Sequence, residues 1–167
     1  MPTDSRISTN RYLPCLLTRL TDEHPFTTVD SDYSESFSLD RLKRDILQNL
    51  TMLLNAHVAP TEAERIRRLF PEVGASGYLF GVDSFVGRHN LTTHVDGILR
   101  HVRDAIVCYE PRVVPESVHV SLQEKQSAGR TGLDLCISCR LAVKPLTDDM
   151  LMRLQLDLET GEATFTR

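Results

Sequence analysis

Tyr109-Glu110-Pro111-Arg112 divides this chain into two halves with different hydrophobic periods. Upstream, Val95, Ile98, Leu99, Val102, Ile106 and Tyr109 recur at steps of three and four, the spacing of one buried helical face. Thr93 with Asp96 three residues on predicts a capping box at the start of that helix. Pro111 ends it, because the ring disfavours a helical conformation in the preceding residue and supplies no amide hydrogen. Glu110 is therefore expected to be extended. If the extension continues through Arg112, side chains two apart share a face, and carboxylate and guanidinium project together.

Downstream the period is two. Val118, Val120 and Leu122 alternate with polar residues, Leu133 to Val143 alternate over a longer run, and Leu154, Leu156 and Leu158 do so again. Gly129 and Gly132, Lys144-Pro145 and Glu159-Thr160-Gly161-Glu162 mark the connections. Short connections favour antiparallel neighbours. The expected fold is α+β, with N-terminal helices packed on one face of a roughly four-stranded antiparallel sheet.

Working back from the junction, Gly77 to Phe85 reads as a loop or short strand against the core, and Thr61 with Glu64 as the box of a short helix ending at Phe70-Pro71. Leu39, Leu42, Ile46, Leu50, Leu53 and Leu54 form the apolar stripe of a helix capped at Ser38 and running to about Asn55. Residues 1–37 are rich in Ser, Thr, Asp and Asn and read as a flexible arm. The stretch Leu13-Pro14-Cys15-Leu16-Leu17-Thr18-Arg19-Leu20 within it reads as one short apolar helical turn that docks on something. Residues 38–167 form a single α+β domain.

The chain has 167 residues, 41% hydrophobic and 25% charged, with a formal charge of -4 and no tryptophan. That length supports a core without metal or disulfide, and the charge lacks the basic surplus of a nucleic-acid binder. No apolar run reaches the roughly 20 residues that span a bilayer, and no signal-peptide pattern opens the chain, so a cytosolic protein is expected.

Cys136-Ile137-Ser138-Cys139 has the spacing of a metal knuckle or redox pair, but residues three apart in a strand face opposite ways. The histidines, including His94 and His101 seven apart, lack a metal-binding helix spacing. No nucleophile elbow or phosphate loop is present. No metal or cofactor is expected. The enzyme reading worth weighing is a glycosidase, with Glu110 as acid and Asp104, Glu116 or Asp83 as partner across about 5 to 10 Å. Arg112 argues against it, because an adjacent cation favours the ionised carboxylate rather than a proton donor. Glu110 also lies at the negative end of the helix dipole, so helix stability does not ask for it. The bland alternative is a solvated surface ion pair worth roughly 0 to 1 kcal/mol. The functional one is a two-signed clamp whose guanidinium fork grips a partner.

Leu16-Leu17-Thr18-Arg19-Leu20-Thr21-Asp22, Leu42 to Asn55, Phe80-Gly81-Val82-Asp83-Ser84-Phe85, Glu110-Pro111-Arg112 and Leu156 to Gly161, in this order, resemble the baseplate-wedge family. That family includes the type VI secretion subunit TssE and a phage wedge protein long labelled a tail lysozyme. The resemblance covers roughly residues 13–166. It departs from the family pattern at Asp83 and Ser84, where proline and aspartate are usual. It implies a non-enzymatic, cytoplasmic baseplate subunit that joins other wedge subunits to the contractile sheath and templates sheath assembly by strand exchange. It also implies that Glu110, Pro111 and Arg112 contact the sheath and that Leu16, Leu17, Arg19 and Leu20 dock on partners, with no nucleic acid, membrane insertion or small-molecule substrate. A peptidoglycan hydrolase and a wedge protein of a phage-derived injection tail are the alternatives.

Overall fold

The structure, a computed structural model, describes residues 15–21, 25–26, 39–84, 91–123, 132–143 and 147–166. The stripe predicted from Leu39 onward is helix α2, Leu39–Asn55, preceded by the five-residue α1, Leu16–Leu20. Five apolar residues of that stripe, Leu42, Ile46, Leu50, Leu53 and Leu54, are buried, and so is an acid, Asp45. Ser38, the expected cap, lies outside the described residues.

Helix α3, Pro60–Leu69, starts ahead of the expected Thr61 box. Ala59 occupies the cap position without a side-chain bond, and Pro60, whose missing amide hydrogen is harmless in the first turn, opens the helix instead. A single turn, α4 (Pro71–Gly74), follows. Helix α5 runs Leu91–Tyr109, so Thr93 lies inside it rather than at its cap. Its C-terminal end at Tyr109 agrees with the proline signal.

The period-two half forms β3 (His119–Leu122), β4 (Gly132–Leu141), β5 (Asp148–Asp157) and β6 (Ala163–Thr166), an antiparallel sheet in the order β3-β4-β5-β6. Along β4 the alternation is strict: Leu133, Leu135, Ile137, Cys139 and Leu141 are buried, and the residues between them are not. Strand β5 starts earlier than the leucine pattern shows, because Met150 and Met152 carry the inward positions before Leu154 and Leu156. Gly161 takes a φ of 78°, a left-handed turn conformation that suits glycine, and reverses the chain into β6.

One side of this sheet and the inward stripes of α2 and α5 make one core. Ile46 and Leu50 of α2, Ile98, Val102 and Ile106 of α5, and Leu135, Ile137, Leu154 and Leu156 of the sheet all belong to it. The glycine segment contributes β2 (Val82–Asp83), which pairs in parallel with β1 (His57–Val58). Gly81 is required there, since its φ is 134° and a Cβ would lie 2.3 Å from the Ala56 carbonyl oxygen.

Candidate functional site: the Glu110–Arg112 lock

Glu110 continues the hydrogen bonding of α5, its amide donating to the Ile106 carbonyl at 2.9 Å, and then the chain turns. The Val113 amide donates to the Glu110 carbonyl at 3.2 Å, closing a turn with Pro111 at its second position, where its fixed φ is suited. The junction is therefore a turn and not the extended run expected from the sequence. It brings the two charges together nonetheless.

Arg112 grips Glu110 with both prongs of its fork, Nε to Oε1 at 2.6 Å and Nη2 to Oε2 at 2.7 Å, while its own amide donates to Oε1 at 3.2 Å. The remaining Nη1 donates to Asp45 Oδ2 at 2.5 Å. Glu110 is 3% exposed and Asp45 5%. This is a buried triad rather than a solvated surface pair, and a guanidinium bound on three nitrogens cannot rotate freely.

Asp45 also receives the N-terminal segment. Thr18 Oγ1 donates to Asp45 Oδ1 at 2.5 Å and the Cys15 amide to Oδ2 at 3.2 Å. Burial alone would raise the Asp45 pKa, but the hydrogen bonds from Thr18, Arg112 and Cys15 outweigh it and hold the carboxyl below its usual range. Burial likewise works against a charged Arg112, and the bonds to Glu110 and Asp45 overcome it, strengthening the guanidinium's hold on its proton.

The sequence reading did not single out Asp45. The signal was an acid standing three residues after Leu42 and directly before Ile46, inside an inward stripe.

Helix α1 turns its polar side inward to Asp45 and its leucines outward, with Leu16 67%, Leu17 53% and Leu20 73% exposed. The Arg19 side chain lies outside the described residues. A cleft of about 250 Å³ between α1 and α2 is lined by Cys15, Leu17, Leu50, Met52, Phe80, Tyr109 and Glu110.

Glu110 is the one carboxylate among the residues that line this cleft. The acids named as partners for it are elsewhere: Asp104 is exposed and paired with Arg103 at 3.2 Å, and Glu116 is exposed. Asp83 is buried between Arg67 at 3.5 Å and His101 at 3.7 Å. Both Glu110 oxygens accept from Arg112, so the carboxylate is turned to the guanidinium and has no second carboxylate facing it across the cleft, as a glycosidase pair would require. Cys139 lies in the core, its thiol pushed up to about 11 by burial, while Cys136 belongs to the other face of β4. Among the described residues no cluster of three or more metal-ligating side chains occurs, and no helix is long and apolar enough to cross a membrane.

A helix-backed antiparallel sheet with an ionic lock at the junction of its halves defines a small α+β domain. The chain belongs to the baseplate wedge protein gp25 family, whose model matches residues 40–146, a span that contains the lock, α2 from its second residue, α3 to α5, and all of β3 and β4. TssE belongs to the same family. Among curated proteins and solved structures nothing matches this chain.

Proposed function

We propose that this protein is a non-enzymatic subunit of a type VI secretion baseplate wedge, located in the cytoplasm, that links the baseplate to the contractile sheath and templates the first sheath layer. The observation that carries the reading is the Glu110–Arg112 fork, a charged motif held rigid beside an antiparallel sheet in a baseplate-wedge domain. Arg112 keeps 21% of its side chain exposed and Pro111 is exposed, so these two meet the sheath subunit while buried Glu110 sets the angle of the fork. Residues 1–37 serve as an arm toward other wedge subunits. Its contacts are Leu16, Leu17 and Leu20, turned outward on α1, together with Arg19.

The test is co-purification of the tagged full chain with its wedge and sheath subunits. The wild type retains both. Arg112→Lys, which keeps the charge but loses the fork, weakens sheath capture at least about tenfold while wedge subunits stay bound. A wild-type chain that retains neither overturns the proposal. Gene neighbours that encode a phage head or toxin-delivery tail would move it to a phage-derived injection device of the same build.

A further inference from the structure

The two edges of the sheet are not equivalent. Along β3, Val120 lies opposite Ile137 and Leu122 opposite Leu135, and the Gln123 amide donates to the Asp134 carbonyl at 2.8 Å. Antiparallel pairs alternate between bonded and non-bonded positions. Ser121 and Gln123 therefore face β4 with their backbone groups, whereas Val120 and Leu122 direct theirs away from the sheet. Among the described residues no hydrogen bond takes up those outward groups. The open row begins just after Val118, whose carbonyl accepts from Arg103 Nε at 3.3 Å.

The opposite edge is closed at its start. The Asp157 amide donates to the Glu162 carbonyl at 2.9 Å, which leaves Ala163 and Phe165 facing outward on β6. Asn55, at the end of α2, donates from Nδ2 to the Ala163 carbonyl at 2.9 Å and accepts the Ala163 amide on Oδ1 at 2.9 Å. Those are the two bonds a neighbouring strand would make, supplied by one side-chain amide. Among the described residues, Phe165 alone keeps outward groups without a partner on β6.

The lock stands on the β3 side. Ala142 N donates to Arg112 O, and Val114 N to Arg140 O, both at 2.8 Å, so residues 112–114 line the same flank of β4 as β3. On β3, His119 and Ser121 are exposed, while Val120 and Leu122 are half-buried against the core.

We infer that β3 is the edge that receives a partner chain. The occupant is an extended segment of alternating apolar and polar residues, which lays its backbone against Val120 and Leu122 and its apolar side chains over the core. Rows of outward amides and carbonyls accept only an extended backbone. The inference rests on the sheath-joining reading and adds which edge is used and what pattern the incoming segment carries.

Proline tests it, because at an outward-facing position it removes only the donor meant for the partner. In the full chain, Val120→Pro and Leu122→Pro reduce capture of the sheath subunits at least tenfold, while Phe165→Pro leaves it unchanged. Hydrogen exchange on the wild type requires no substitution: the Val120 and Leu122 amides become protected when sheath subunits bind, and the Phe165 amide does not. Protection at Phe165 instead, or sheath capture that survives both β3 prolines in folded protein, overturns the assignment while leaving the sheath-joining reading intact. Protection of β3 by self-association, with sheath adding nothing, makes the occupant a second copy and overturns it too. A wild type that captures no sheath removes the reading and the edge together.

Discussion

Arg112 neutralises two carboxylates that are nearly out of water, so its removal leaves uncompensated buried charge. Arg112→Met should cost about 3–5 kcal/mol, read as a fall in the urea midpoint. Exchanging the two charges is not silent either, because Arg112→Glu would set a carboxylate against Asp45, and such a variant reports on folding before it reports on docking. Asp45 adds a pH dependence of known sign. Its folded pKa is depressed, so its contribution is complete above the unfolded value of about 3.9 and is lost as pH falls through the folded one. Denaturation midpoints should therefore decline below about pH 4, and Asp45→Asn should remove part of that decline along with part of the neutral-pH stability.

Helix α1 is attached by polar bonds rather than by its leucines, an inversion of the usual amphipathic arrangement. Thr18→Val should loosen it: losing one charge-assisted bond of about 1.5 kcal/mol or more raises the alkylation rate of the Cys15 thiol roughly tenfold, followed by mass spectrometry of its peptide. Leu16→Ser with Leu20→Ser, both at exposed positions, should shift stability by no more than about 0.5 kcal/mol. On the proposed function the same pair loses wedge subunits in co-purification. Strand β5 shows how an element can be half hidden in the sequence. In Met150-Leu151-Met152 the outward residue is itself apolar, with Leu151 67% exposed, so alternation is masked until Arg153 restores it.

For the molecule as a whole, the hydrolase alternative makes the sharpest contrast with an assembly role. The cleft at Glu110 offers one carboxylate, already bound twice by a guanidinium, where a glycosidase needs two acids facing each other. Folded protein should leave the turbidity of a purified peptidoglycan suspension unchanged from acid to neutral pH. Clearing that disappears in Glu110→Gln would overturn the assembly reading.

The α+β class, the spans of α2 and the end of α5, the strand alternation of β4 and the turn at Gly161 were all legible from residue order, because each rests on local period or on a backbone restriction of one proline or glycine. The pairing of Glu110 with Arg112 was legible for the same reason, the two being neighbours in the chain. Burial of that pair, its third member Asp45 sixty-seven residues from Arg112 and the bonds from Thr18 and Cys15 depend on how α1, α2 and the α5 junction meet. So does the closing of β6 by Asn55, across a separation of 108 residues. Contacts of that range have no period and leave no mark on neighbouring positions; they exist only once the helices have packed on the sheet and fixed which polar groups lose water together.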